Sequence, residues 1–298
     1  MAERELTPLH EGGHFFEGPR WHDGRWYVSD FYAHAVYTVG EDGRSEEVMR
    51  VEQQPSGLGW LPDGSLLVVS MRDHKLLRRS PDGSVSEHAD LSEHCGGHLN
   101  DIVVDAAGRA YVGNFGFDLM AGGEPRYAKL VRVDPDGSVT VAAEELMFPN
   151  GSVIDGDTLI VAETMGGRLS GFTIAPDGSL TDRRVWAQLS PTPDMGPLGE
   201  MLAGGGIAPD GIALDSEGHV WAADAMGGPV RRVAPGGEIV EEIHAPEGMG
   251  CFACALGGPD GRTLLLCSAP DFAEAARKAA REAVLFTTRV DVPHGGLP

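Results

Sequence analysis

Apolar and polar positions alternate along most of this chain in short runs, and one turn signal punctuates them. "LPDGSLLVV" at Leu61, "SPDGSVSEH" at Ser80, "DPDGSVTVA" at Asp134, "APDGSLTDR" at Ala175 and "GPDGRTLLL" at Gly258 each set Pro-Asp-Gly between two β-type runs. "DAAGRAYVG" at Asp105, "DSEGHVWAA" at Asp215 and "APGGEIVEE" at Ala234 are variants of it. Alternation with period two on both sides of a tight turn is the hairpin pattern. The hairpins group into units of strand, turn, strand, loop, strand, turn, strand. Units start near Phe16, Pro55, His98, Pro149, Pro209 and Met249, a spacing of about forty to sixty residues that suits propeller blades. The pattern predicts an all-β chain folded as a single six-bladed β-propeller domain over residues 1–298. A β-sandwich with as many strands would not need the same four-strand unit six times.

Two stretches break the repeat. Ser190–Gly206, "SPTPDMGPLGEMLAGGG", is an insertion rich in Pro, Gly and Met. "PDFAEAARKAAREAV" is Ala-rich and predicts a helix of about three turns over residues 271–283. The strand-like "LFTTRVDV" after it and "LTPLHEGG" near the start each lack a partner within a unit. Pairing them in one blade closes the ring and leaves no open edge.

Composition narrows the classes. Hydrophobic residues make up 42 % of the 298, enough for a large core, and 42 Gly with 20 Pro imply many turns. The formal net charge of −22 argues against nucleic acid and anionic membrane surfaces as partners. "MAERELTPLH" has no apolar run of the signal-peptide kind, so the expected location is cytoplasmic, as a monomer or homodimer. Cys251 and Cys254 have CxxC spacing, but on a strand they face opposite sides. All four cysteines are therefore expected to be reduced, with this pair serving as core packing.

The candidate chemistry lies at the unit starts. Glu17 precedes the first strand of unit one, and "HLNDIVVD", "FPNGSVID" and "APDGIALD" place Asn100, Asn150 and Asp210 at the same phase in units three, four and five. First strands of a propeller line the central channel, so these four should converge at one mouth. Asn-Gly and Asp-Gly are common turn dipeptides, but Glu17 is no turn former. Carboxylates brought together repel unless a cation sits between them, and carboxylate plus amide oxygens suit a hard divalent ion. Glu163, at the end of "TLIVAET", points to the same face by strand phase, as a contact for water or substrate.

These residues resemble the SMP-30/gluconolactonase/luciferin-regenerating-enzyme family over nearly the whole chain. The motifs are "EGPRW", "LNDIVVDAAGRAYVG", "FPNGSVI" and, most specific, "APDGIALDSEGHVWAA". The resemblance implies a six-bladed propeller with one divalent metal at the channel mouth, calcium first, with zinc, manganese or magnesium as alternatives. It places Glu17, Asn150 and Asp210 on the metal-ligand positions and Asn100 on a position contacting metal-bound water or substrate. It implies a small-molecule lactone or related ester as substrate, opened by metal-activated water with Asp210 as general base.

Two departures bear on the substrate. Sugar-lactone members carry an Arg where this chain has His98, and family "NDG" is "NDI" here. His98 and Asn100 would orient the carbonyl. Near the expected mouth stand Phe115, Phe117, Met165, Met195, Met201, Met226 and Met249, with Phe115 and Met226 as expected substrate contacts. This points to a hydrophobic lactone over a sugar lactone. There is no G-x-S-x-G nucleophile elbow and no dinucleotide fingerprint. The rival readings are a strictosidine-synthase-like propeller that condenses or cyclises, and a protein-binding scaffold without a metal.

Overall fold

The computed structural model describes residues 4–298, and the strands form six four-stranded antiparallel sheets. Blade 1 runs Phe16–His22, Arg25–Asp30, Ala35–Val39 and Ser45–Arg50; blade 2 runs Pro55–Trp60, Leu66–Ser70, Lys75–Arg79 and Val85–Asp90. Blade 3 is Leu99–Val104, Ala110–Asn114, Ala128–Val133 and Val139–Leu146; blade 4 is Pro149–Asp155, Thr158–Glu163, Arg168–Ile174 and Leu180–Gln188. Blade 5 is Pro209–Leu214, Val220–Asp224, Val230–Val233 and Ile239–Ile243. Blade 6 takes Gly250–Gly257, Thr263–Ala269 and Ala283–Arg289 from the end of the chain and Thr7–Gly13 from its start. The terminal strands pair antiparallel from Thr7↔Thr287 to Gly13↔Ala283, so the ring closes as the unpaired runs require.

The first strands pack side by side in cyclic order around the axis, each running away from the mouth. The Pro-Asp-Gly turns therefore lie on the far face. Their chemistry repeats: Asp63 accepts from the Ser65 N–H at 3.0 Å, Asp136 from Ser138 at 3.0 Å and Asp177 from Ser179 at 3.0 Å. Gly64 follows at φ +82°, a conformation open to glycine at little steric cost. The apolar sides of the strands meet between neighbouring blades, where Trp26, Tyr111 and Trp221 are fully buried. On the far face Leu297 bridges to Ile154 and His294 to Asp215.

Each first strand is bulged directly after its opening residues, for example between Pro149 and Ser152 and between Pro209 and Ile212. Asn150-Gly151 and Asp210-Gly211 thus sit inside strands rather than in turns. Glycine is needed there because first strands touch backbone to backbone: a Cβ on Gly151 would stand 2.5 Å from the Asp210 carbonyl oxygen.

The Ala-rich stretch gives a shorter helix than its composition predicts. Helix α2 covers only Glu274–Ala279, and Ala280 is already extended at φ −131°, ψ 155°. His14 Nδ1 faces the carbonyls of Arg277 (2.9 Å) and Ala280 (3.0 Å), and the chain must straighten by Ala283 to enter blade 6. Strand pairing overrides helix propensity here. The insertion holds a second short helix, α1, at Leu198–Ala203. The four cysteines are free. A bulge between Cys251 and Ala253 puts Cys251 and Cys254 into one core cluster on the same side of the strand, not on opposite sides as the alternation predicts. Both are buried there, with Cys254 Sγ 3.4 Å from the Trp221 carbonyl. Among the described residues no helix is long and apolar enough to cross a membrane.

Candidate active site

Bulges re-aim side chains, and here each turns one opening residue of a first strand toward the axis. Glu17, Asn100, Asn150 and Asp210, from four blades, line the inner part of one cavity of about 340 Å³. That volume lies at the low end of the roughly 300–1,000 Å³ usual for small-molecule sites. All four side chains are more than nine-tenths buried. The Asn150 amide donates to Asp210 and, at 3.1 Å, to the Thr164 hydroxyl. Thr164 spends its own proton on the Pro209 carbonyl at 2.8 Å, so it can only accept from Asn150. This fixes the donor end of the amide, and among the described residues nothing donates to the amide oxygen. Asn100 Oδ1 receives only a long contact, 3.5 Å, from Ser56 Oγ.

The electrostatics are unfavourable without a cation. Burial pushes the Glu17 carboxyl up to about 8, against one opposing hydrogen bond from the Gly18 N–H. Burial and then the Glu17 charge raise Asp210 well above the ordinary carboxylate range. The nearby guanidinium of Arg20 is committed to Asp101 at 2.6 Å and to the carbonyls of Leu58, Pro19 and Ile102. Among the described residues no three His, Cys, Asp or Glu side chains gather as a cation site. The mouth set is instead two carboxylates plus two amides, the Asn150 oxygen with no donor among the described residues and the Asn100 oxygen with one long contact, a donor set that fits one hard divalent ion.

The cavity walls are mostly apolar, with Gln54, Arg72 and Tyr32 set among phenylalanines and methionines. Phe115 and Met226 line the cavity, with Met165 and His98. The His98 ring stands 5.7 Å from Phe115, and burial, then the Arg72 charge, lower its pKa, which favours the neutral imidazole. Phe15, Phe31, Phe148 and Phe252 complete the wall. Phe148 holds φ +64°, costly for a bulky residue, and its ring packs 4.4 Å from Phe115. Apart from Phe252, which lies inside the first strand of blade 6, these wall residues come from two places repeated from blade to blade: the residue before the first strand, and the loop between second and third strands. That repeat is the signal by which Phe15, Gln54, Phe148, Arg72 and Tyr32 could have been found.

Several expected residues lie elsewhere. Glu163 does not reach the cavity. It is fully buried beside Arg168 (3.0 Å) and Arg183 (3.1 Å), and accepts from Ser170 and the Met147 N–H. Burial raises its pKa, but the bonds to Arg168, Ser170 and Met147 outweigh that and leave it below the ordinary value. Asp30 and Asp224 occupy the same last position of a second strand and likewise accept loop N–H groups, from Phe15 at 3.2 Å and Met226 at 3.0 Å. A carboxylate there braces the loop rather than facing the mouth. Phe117 and Met201 are buried, Met195 lines a separate groove beside Arg183, and Met249 packs on the blade 5–6 core. The insertion does reach the cavity, through Leu198 and Leu202 rather than its methionines.

Comparison with known proteins bears on the family and the fold. A family model described as "SMP-30/Gluconolactonase/LRE-like region" matches residues 15–270. The chain is 30 % identical over 273 residues to a 6-deoxy-6-sulfogluconolactonase of Pseudomonas putida, covering 90 % of this chain and 87 % of that one. It is 27 % identical over 258 residues to pentonolactonase XacC of Haloferax volcanii, with 85 % and 81 % covered. Among solved structures, a calcium-binding protein, regucalcin, of Agrobacterium tumefaciens superposes with a TM-score of 0.77 at 22 % identity, over 100 % of this chain and 99 % of that one.

Proposed function

Because the chain belongs to the SMP-30/gluconolactonase/LRE-like family, we propose that it is a divalent-metal-dependent lactonase, and that it prefers a hydrophobic lactone to a sugar lactone. The observation that carries this reading is one cavity with buried carboxylate and amide oxygens at its inner end and phenylalanine and methionine walls. Glu17, Asn150 and Asp210 would hold the ion, with calcium first for an all-oxygen donor set. When bound, the cation supplies the positive charge that keeps Glu17 and Asp210 ionised and polarises the lactone carbonyl.

The remaining work falls to the chain's own side chains. Asp210 takes a proton from the water whose oxygen attacks the carbonyl carbon. Asn100 and a neutral His98 donate toward the carbonyl oxygen as negative charge develops on it. The ring C–O bond then breaks, and the departing alkoxide recovers the proton to give the hydroxy acid. The apolar wall excludes competing water.

The relatives' names refer to polyol-acid lactones, whose hydroxyls need partners. His98 offers one donor where a guanidinium offers five. The Arg72 guanidinium at the cavity wall is engaged by Gln54 at 2.9 Å and Glu274 at 2.7 Å, and burying unpaired hydroxyls against phenylalanine is unfavourable. The test is elemental analysis of the purified protein with a lactone panel read by proton release, spontaneous hydrolysis subtracted. We expect about one ion per chain, loss of turnover in EDTA, and a higher kcat/KM for dihydrocoumarin than for gluconolactone. Gluconolactone ahead by tenfold or more, about 1.4 kcal/mol, overturns the preference, and undiminished turnover in EDTA overturns the metal.

A further inference from the structure

The apolar wall of the cavity does not stop at its mouth. Met120, Leu202, Met226 and Phe272 line the open end while remaining 42, 44, 54 and 51 % exposed. Single exposed apolar side chains are ordinary on protein surfaces. These four come from separate segments: the second-to-third strand loops of blades 3 and 5, helix α1, and the residues before α2. Nothing in local sequence obliges them to meet, yet they ring one opening.

The rim at Phe272 is held in place. Glu274 pairs with Arg72 of blade 2 at 2.7 Å, and the buried Arg277 pairs with Asp271 at 3.2 Å and Glu282 at 2.9 Å. Phe272 stands edge-on to the wall residue Phe252, ring centres 6.4 Å apart, so wall and rim form one continuous apolar path. The oxygen donors lie at the inner end of that path. A ligand that matches both ends carries a polar hydrolysable ring and an apolar substituent leading outward.

We propose that the substrate is a lactone bearing an apolar chain long enough to leave the cavity. Its ring sits at Glu17, Asn150 and Asp210, and its chain runs out along Met226 and Phe272. This rests on the lactonase reading, but binding of the chain can be measured apart from hydrolysis. The occupant is a substrate chain because the rim continues the cavity wall; a second copy of this chain or a lipid surface would be met without any link to the cavity.

The experiment pairs two series of γ-substituted five-membered rings, with no chain or with two, four, six and eight carbons. Lactams, which resist opening, report affinity by calorimetry, and lactones report kcat/KM by proton release. Both are run on the full chain with divalent cation restored, and on M226Q/F272Q. For the parent we expect lactam affinity to rise about two- to fourfold per methylene, fourfold corresponding to about 0.8 kcal/mol, with the steepest gain beyond four carbons. In M226Q/F272Q that gain beyond four carbons is lost, and circular dichroism and melting temperature show the variant folded. A flat lactam series in the parent, or an unchanged slope in the variant, overturns the rim whatever the hydrolysis result. A rising lactam series with no lactone turnover overturns the lactonase reading and leaves the rim standing. A flat series with a variant-sensitive change in oligomeric mass assigns the rim to self-association instead.

Discussion

Asp210 and Glu17 share a buried space in which each raises the cost of ionising the other, and Arg20 is already spent on Asp101. Asp210→Asn tests both roles proposed for the residue, because it keeps the shape and removes the charge. We expect kcat/KM to fall by about 10²–10⁴ and the retained ion after dialysis to fall below that of the parent. In EDTA the variant should melt no lower than the parent, since a repelled buried charge is gone. Elemental analysis, proton-release kinetics and melts in EDTA check the three parts; parent-level kcat/KM in the variant would place the base elsewhere. Sequence makes these residues legible because a glutamate at the phase of Asn100, Asn150 and Asp210 has no turn-forming excuse. It does not make Glu163 legible as a brace. Strand phase says which side of the sheet a side chain takes, but not that arginines from the third and fourth strands, Arg168 and Arg183, will claim it.

Elements outside the blade repeat show where local pattern loses to tertiary demand. Composition favours a long helix near the end of the chain, but pairing of Ala283–Arg289 into blade 6 ends it at Ala279. Within blade 4, Glu163 ties the second strand to the third and fourth. Its carboxyl is held below its ordinary value, so its contribution is full above the unfolded-state pKa of about 4.3. The contribution is lost as pH falls through the lower folded value. Glu163→Gln, which strands two arginines beside a neutral group, should cost on the order of 3 kcal/mol at pH 7. The gap to the parent should narrow below about pH 4. Denaturant midpoints at both pH values measure this, and a gap that does not change with pH would show that the charge is not what matters. The insertion behaves differently. It is anchored at its base, where Ile207 N donates to Ser190 Oγ at 2.6 Å and Thr192 Oγ1 to the Gly166 carbonyl at 2.8 Å. Beyond that base it gives the cavity Leu198 and Leu202. Replacing Pro193–Gly205 with a short Gly-Ser linker should shift the dihydrocoumarin-to-gluconolactone ratio severalfold toward gluconolactone. The melting temperature should drop by less than about 4 °C, the scale of one to two kcal/mol at this size. A large drop with an unchanged ratio would make the insertion structural packing.

The whole molecule is a ring, and a ring built from repeats is only as closed as its last blade. The repeat itself is readable along the chain, because each blade needs the same turn chemistry at the same spacing. Closure is less visible, since two lone strands far apart in sequence become partners only when edges are considered. The strand Thr7–Gly13 covers the edge of Ala283–Arg289, Leu9 packs on the main core, and Arg4 reaches the Arg289 carbonyl at 2.7 Å and Asp291 at 2.9 Å. Gly13 packs directly on the Phe16 ring, which leaves no room for a side chain at that corner. Deleting residues 1–12 should therefore uncover a flat edge strand, a template for pairing with other chains. We expect the melting temperature to fall by about 10 °C or more, consistent with a loss of several kcal/mol, and light scattering to rise with concentration. A synthetic peptide of residues 4–14 added in trans should recover part of the melting temperature, because the edge it pairs with is still present in blade 6. A truncated chain that melts like the parent and stays monodisperse would mean the ring is held by its first strands alone, with blade 6 complete at three strands.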